Sequence, residues 1–297
     1  MQKTITPIDN TLYIERNYDG AKIEETINNS MKAQKVWADL DVKERVKLLT
    51  SFVEDFLSRS GLICEELSRQ IGRPISQTAG ELKGFKERAD YMLSIAEKKL
   101  ANINVAKDGN FKSYIKRKAL GVVFVIAPWN YPYLVAVNSI IPAMAAGNSV
   151  ILKHSAQTPL CAEQMIDENK FIHPKEHRNY LIPQVLTNVT HDMSFMTEET
   201  FGPCVGIMKV KDENEAIKLM NDSPYGLTAS IWTKDIEIAE KIGNKVETGT
   251  FYMNRCDYLD PALSWTGVKE TGKGCSLSEV AYEKLTSPKS FHLRKEQ

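Results

Sequence analysis

Two residues sit where a strand would deliver its carboxyl end to a ligand. Asn130 lies just past the apolar run Gly121–Ala127, and Lys153 closes the run Ser149–Leu152. In open parallel sheets ligands bind outside the carboxyl ends of the strands, so these positions come first as candidates. A side-chain amide there can donate to a developing oxyanion, and a lysine can hold ribose hydroxyls or a phosphate. Each also fits a plainer role as a turn or cap residue. Five cysteines, Cys64, Cys161, Cys204, Cys256 and Cys275, are the possible nucleophiles. They are odd in number, widely spread and never CxxC, which reads as a reduced, cytosolic protein without a disulfide framework or zinc site. Cys161 falls on a short segment expected to pack inward, Cys204 follows Gly202-Pro203, and Cys256 and Cys275 flank a late loop. Buried, inert cysteine is the commoner fate. The five histidines include no HExxH pair, so no metal site is expected. Gly267–Gly274 nearly matches the phosphate-loop pattern GxxxxGK[ST], but Gly274 stands in place of the magnesium-binding hydroxyl and no buried strand leads into the segment. An NTPase is therefore discounted.

The elements that must hold these residues are legible from periodicity. Residues 1–100 read as helices: Ile23, Ile27 and Met31 recur at fourth positions, and Val42, Val46, Leu49, Val53 and Phe56 continue one apolar stripe. Asp41 followed by Glu44 looks like a capping box. After the Gly72–Pro74 break a further stripe runs Leu82, Phe85, Ala89, Met92, Ala96. The whole reads as a surface helical layer packed on something else. Phe111–Lys118 alternates and carries charge, as an exposed or edge strand does. Gly121–Ala127 is apolar without alternation, as expected for a parallel strand covered on both faces. A helix over Tyr133–Ala146, stopped by Gly147-Asn148, and a second buried strand at Ser149–Leu152 complete a β–α–β unit.

A second α/β block is expected from about Leu181. Its strands are Val205–Val210, Leu227–Trp232 and Thr250–Asn254, and its helices open at Asp212 and at Thr233 or Asp235. Asp257–Gly274 reads as loop, Ser276–Leu285 as helix, and Pro288–Leu293 as a terminal strand. With 297 residues, 38 basic and 38 acidic side chains and 42% hydrophobic residues, the chain is an ordinary globular one with no net charge. Neutrality gives no global attraction to nucleic acid or to an anionic membrane. No signal peptide or membrane span is expected, and a cytoplasmic protein is.

The residues resemble the NAD(P)-dependent aldehyde dehydrogenases. Gly121–Pro132, ending Ala127-Pro128-Trp129-Asn130-Tyr131-Pro132, is similar to that family's strand-and-loop signature. The likeness continues through Pro142–Asn148 and Leu152-Lys153, then Glu198–Pro203, Ser223–Ala229 and Gly272–Gly274. It implies an α/β fold with an incomplete Rossmann-type parallel sheet, a second α/β domain of catalytic type, and oligomerisation strands. The corresponding ranges are 1–100 and 120–165 for a partial dinucleotide-binding domain, 101–119 and 286–297 for oligomerisation strands, and 166–285 for a partial catalytic domain.

By the same resemblance, Asn130 matches the amide that stabilises the oxyanion of a thiohemiacetal. Lys153 matches the lysine on the adenosine ribose, Glu199 the carboxylate on the nicotinamide ribose, and Phe201 the aromatic beside the nicotinamide, with Trp129 in the same wall. Tyr131 and Trp265 match aromatic positions of the aldehyde tunnel. Plain core packing remains the other reading of the aromatic residues, as does a snorkelling Lys153 and a helix-capping Glu199. Ala156 stands where the family often has a second ribose-binding glutamate. Its loss removes a repulsive element against a 2′-phosphate, so NADP is as well supported as NAD.

Three family motifs are missing: the Gly-Gln-x-Cys loop of the nucleophile, the Glu-Leu-Gly-Gly stretch of the general base, and the Phe-Thr-Gly-Ser turn that receives the pyrophosphate. The likeness breaks at Met165 and resumes at Ile166 far later in the family's order, as though a domain-sized block were lost. Two functions follow from this reading. One is an NAD(P)-linked oxidoreductase acting on a small aldehyde, with impaired chemistry and weakened cofactor binding. The other is a non-catalytic relative that binds nucleotide or associates, with itself or with intact family subunits, through Phe111–Lys118 and Phe291–Leu293. Unpaired apolar strand edges and a marginal or oligomer-dependent fold are expected of either.

Overall fold

The computed structural model describes residues 2–17, 20–105, 111–161 and 183–295. The chain divides into two compact units. One comprises Met1–Glu176, Asp260–Ser264 and Ser276–Gln297, the other His177–Leu259 and Trp265–Cys275.

The first unit begins with β1 (Gln2–Ile5) and β2 (Leu12–Arg16), an antiparallel pair, where the sequence reading expects helix. The turn between them explains the difference. Asp9 Oδ1 accepts the Thr11 N–H at 2.9 Å, and Asn10 takes a left-handed conformation with φ 62°. Four helices follow: α1 (Gly20–Asp39), α2 (Val42–Ser58), α3 (Ser60–Ile71) and α4 (Ile75–Leu100). The Asp41 side chain accepts the Glu44 N–H at 3.0 Å, which fixes the start of α2 as the capping residues predict. Gly72 ends α3 at φ 73°, and a Cβ there would come within 3.1 Å of the Pro7 ring. The expected stripe on α1 is present but faces outward, since Ile23, Ile27 and Met31 are all exposed.

Strands β3 (Ile103–Val105), β4 (Phe111–Ala119) and β5 (Val122–Ile126) lead to α5 (Pro132–Ala145) and β6 (Ser149–Lys153). β5 and β6 pair in parallel, Val122 with Ser149 through to Ile126 with Lys153. The expectation that β5 is covered on both faces is corrected. Val125 packs with Ala136 and Ile140 of α5, whereas Phe124 and Ile126, pointing the other way, are 60% and 65% exposed. Among the described residues this sheet has two strands. Among the described residues, then, one face of this apolar run is packed and the other is bare.

The second unit contains β7 (Gln184–Thr187), α6 (Ser194–Thr197), β8 (Cys204–Ile207), α7 (Glu213–Asn221), β9 (Tyr225–Gly226) and β10 (Thr228–Ile231). It continues with α8 (Ile236–Gly243), β11 (Thr250–Met253), β12 (Trp265–Thr266) and β13 (Val268–Lys269). β7 pairs with β8, and β10 with β11, both in parallel. Asp212 and Asp235 cap α7 and α8, settling the choice between Thr233 and Asp235. Its small core joins Ala229, Ile242 and Val246. The expected loop at 257–274 thus carries two short strands. Beyond it, β14 (Cys275–Ser276) leads to α9 (Val280–Lys284) and β15 (Thr286–Arg294), both in the first unit.

β15 pairs with β4 over nine residues, and β3 pairs with the other side of β4. The expected edge strand Phe111–Lys118 is therefore the central one. Its alternation arises because its two faces differ, not because an edge is free. The main core is helical: Phe56 of α2, Leu67 of α3, Phe85 and Met92 of α4, Tyr133 and Ile141 of α5 and Tyr282 of α9 close on one another. The helical residues are thus not a layer waiting for a sheet but the chief source of buried apolar surface in this unit.

Buried Arg45 ties α2 to α5. Its Nε donates to Ala145 O at 2.9 Å and its Nη1 to Leu40 O. Arg45→Met leaves these carbonyls unpaired and is expected to cost ~2 kcal/mol, read as a lower urea midpoint at unchanged slope.

Candidate functional site

In the first unit the loop between β5 and α5 carries Trp129, Asn130 and Tyr131, all exposed. Lys153 ends the neighbouring strand, and its carbonyl accepts the Ala127 N–H at 3.0 Å. The amide of Asn130 and the ammonium of Lys153 therefore start from the same carboxyl end of one parallel pair, as the sequence places them. Lys153 Nζ makes no hydrogen bond or ion pair among the described residues. Asn130 Oδ1 accepts the Tyr131 N–H at 3.0 Å, which leaves the two Nδ2 hydrogens as donors to a ligand.

What holds this loop was missed at the sequence level. α5 has no side-chain cap of its own. Glu81, its side chain fully buried on α4, accepts the orphan N–H groups of Tyr133 and Leu134 at 2.8 and 3.1 Å through Oε1. A carboxylate at a helix N-terminus satisfies these donors and complements the helix dipole. Its Oε2 pairs with Arg73 Nη1, while Arg73 Nη2 donates to the Asn130 carbonyl and the guanidinium lies 4.3 Å from the Tyr131 ring centroid. Burial raises the Glu81 carboxyl above its ordinary value, opposed by the charge of Arg73 and by the hydrogen bonds it accepts. Arg88 grips the same helix start, donating to Leu134 O at 2.5 Å and to Asn138 Oδ1 at 3.1 Å. The signal was available: Glu81 and Arg88 fall at stripe spacing with Phe85 and Met92, where apolar residues belong.

Two of the five cysteines, Cys64 and Cys161, belong to this unit. Cys161 is completely buried, with the Gln70 amide 3.8 Å from its sulfur. Burial pushes its thiol far above the ordinary range, which disfavours the nucleophilic thiolate. Cys64, on α3, is half-buried beside the helical core. All five cysteines are free.

The second unit holds the other candidates. Glu199 and Phe201 lie between α6 and β8, both exposed, Phe201 at 78%. Glu199 makes no hydrogen bond or ion pair among the described residues. Trp265 is half-buried at the start of β12. Cys204 is half-buried at the start of β8, Cys256 is exposed, and Cys275 is half-buried. No cluster of three metal-binding side chains occurs among the described residues, and none of their helices is long and apolar enough to cross a membrane. The Met165–Ile166 join lies outside the described residues.

Comparison with known proteins bears on all of this. The family model for the aldehyde dehydrogenase family matches residues 2–168 and 165–291, two stretches that overlap at 165–168. The chain belongs to the aldehyde dehydrogenase family. An aldehyde dehydrogenase of Emericella nidulans is 39% identical over 115 residues, 39% of this chain and 23% of that protein. The chain thus spans about a quarter of several curated relatives it matches. The aldehyde dehydrogenase-like FUS7 protein of Gibberella fujikuroi is 20% identical over 442 aligned positions, 98% of this chain and 95% of that one. Because this chain has 297 residues, part of FUS7 has no counterpart here.

Solved structures share the fold. Succinic semialdehyde dehydrogenase from Streptococcus pyogenes, in complex with NADP+, superposes with a TM-score of 0.88 at 17% identity, covering 99% of this chain and 100% of that one. Aldehyde dehydrogenase from Brucella melitensis biovar abortus 2308 gives 0.90 at 17% identity, with coverage of 100% and 94%. The chain accordingly has a mixed α/β, aldehyde dehydrogenase-like fold.

Proposed function

We propose that this chain is an aldehyde dehydrogenase relative that keeps a nucleotide-holding and carbonyl-binding surface but has lost effective turnover. The observation that carries the reading is the pair of donors, Asn130 Nδ2 and Lys153 Nζ, uncommitted among the described residues at the carboxyl ends of two paired strands, together with the burial of Cys161 in the same unit. Lys153 would hold ribose hydroxyls and Asn130 a carbonyl oxygen. In the first unit Trp129 would wall the cofactor and Tyr131 the aldehyde; in the second, Trp265 would be an aldehyde-lining residue by the same resemblance. Glu199 and Phe201 would take the nicotinamide ribose and ring. Taken unit by unit, the residues fit parts of the cofactor: in the first unit the exposed Lys153 ammonium, without a partner among the described residues, suits a ribose, and in the second the exposed Glu199 carboxylate does, while the pyrophosphate turn is missing from the sequence. NAD or NADP, when bound, is the hydride acceptor for aldehyde oxidation. The chain's own contribution is to bind and orient, since proton removal and covalent capture need the absent motifs.

Equilibrium titration tests the reading. NAD+ and NADP+ are both expected to bind weakly, and Lys153→Met to weaken either by ~5- to 30-fold, the loss of one or two hydrogen bonds to a charged group. Binding unchanged by that substitution contradicts the assignment. Strict preference for NAD+ would count against the role given to Ala156.

A second reading, association with copies of itself or with intact family subunits, is favoured by β15. It pairs along one side with β4, and its outer edge has no partner strand among the described residues. A soluble compartment and absence of nucleic-acid or membrane partners go with both readings. Light scattering on the purified chain, alone and mixed with an intact family enzyme, separates them: a monomer under both conditions rules out association.

A further inference from the structure

Arg73 touches three things that no single structural task requires together. One nitrogen pairs with buried Glu81, another donates to the main-chain carbonyl of Asn130, and its plane stacks on Tyr131. Glu81 already has a complete structural duty as the cap of α5, which it performs through its other oxygen. The Arg73 side chain is 12% exposed, so its position is fixed by these partners rather than by solvent. The guanidinium is a rigid planar fork, suited to bind two acceptors and a ring at once.

We infer that Arg73, oriented by Glu81, is a positioning residue for the Asn130 carboxamide and the Tyr131 ring. It fixes the loop so that Asn130 Oδ1 turns back onto the Tyr131 N–H and the Nδ2 hydrogens face outward. Its consequence for ligand binding rests on the reading of Asn130 as a carbonyl-oxygen donor. The turn at Gly72 matters here, because its left-handed backbone brings Arg73 off the end of α3 and toward the loop.

Residue-resolved amide exchange and side-chain amide signals in 15N-labelled full chain test it. In Arg73→Met the Tyr131 amide is expected to exchange ~10- to 100-fold faster, the loss of a charge-assisted hydrogen bond. The Tyr133 and Leu134 amides, held by Glu81, should keep their protection. Arg73→Lys should recover part of the effect, since an ammonium can reach either Glu81 or the Asn130 carbonyl but cannot fork to both while stacking on Tyr131. Should Arg73→Met not fold, Glu81→Gln gives the same contrast: its Oε1 can still cap α5, while its amide no longer holds Arg73. Unchanged Tyr131 exchange overturns the inference. So does equal loss at Tyr131, Tyr133 and Leu134, which would make Arg73 a prop for the helix end.

Benzaldehyde titration separates this from the reading beneath it. A shift of the Asn130 side-chain signal in the wild type that needs about tenfold more ligand in Arg73→Met supports the inference, and equal titration of both overturns it. No shift in the wild type sinks the carbonyl role of Asn130, and the exchange contrast then decides the positioning role by itself.

Discussion

Replacing Phe56 with alanine is expected to remove ~3–5 kcal/mol of stability, a large share of what a domain usually has. Phe56 is completely buried, with the rings of Phe85 and Tyr133 at 4.8 and 5.2 Å and Phe52 at 6.4 Å. Truncation there opens a cavity among α2, α4 and α5 that rigid helices cannot collapse to fill. Phe124→Ser, by contrast, should change stability by less than ~1 kcal/mol, because that ring is already 60% exposed. The two substitutions remove similar chemistry from opposite situations. Urea unfolding followed by circular dichroism measures both. The contrast would show that the helical core, not the two-stranded parallel sheet, stabilises this unit, and so how the fold tolerates bare strand faces. Equal losses at the two sites would mean that the sheet's outer face is covered in solution.

Acid should weaken the chain through His154. The residue is 6% exposed, neither ring nitrogen has a hydrogen-bond partner among the described residues, and the ring lies edge-on to Tyr133 with 6.2 Å between centroids. Burial, helped by the neighbouring Lys153 charge, lowers its pKa from 6.5 to about 4. The folded state therefore holds His154 neutral while the unfolded state takes up a proton below 6.5. Stability is full above that pH, falls as pH drops toward 4 and levels off below, for a total of ~3 kcal/mol. His154→Leu should abolish this component, so the gap in urea midpoint between pH 7.5 and pH 4.5 should narrow relative to wild type. An unchanged gap would place the acid sensitivity elsewhere.

Local signals in the sequence proved informative where the chemistry is itself local. Asp41 before Glu44 and Asp212 before Glu215 start helices because each carboxylate reaches an amide three residues on, at 3.0 and 2.9 Å. The run Gly121–Ala127 and Asn130 after it specify a strand and a loop within ten residues. Other features depend on partners far along the chain and leave no period. Glu81 caps amides 52 and 53 residues away, and Arg73 reaches a carbonyl 57 residues away. The alternation in Phe111–Ala119 reports two unlike faces but not how many neighbours the strand has, so a central strand reads as an edge. The apolar run of β5 predicts cover on both faces, but its composition does not say which neighbours supply it, and Phe124 and Ile126 are exposed. Of the candidate site, the positions of Trp129–Tyr131 and Lys153 at the ends of β5 and β6 were legible, because apolar runs mark where strands stop. The side chains that orient the loop were not.

The most direct test is formation of NAD(P)H, followed at 340 nm, when the purified chain is given an aldehyde with NAD+ or NADP+. On the proposed loss of the nucleophile, the rate is expected roughly 10⁴-fold or more below that of an intact family enzyme, leaving no aldehyde-dependent rise above the blank. Steady turnover that disappears when one of the five cysteines is replaced by serine would show a working nucleophile and contradict it.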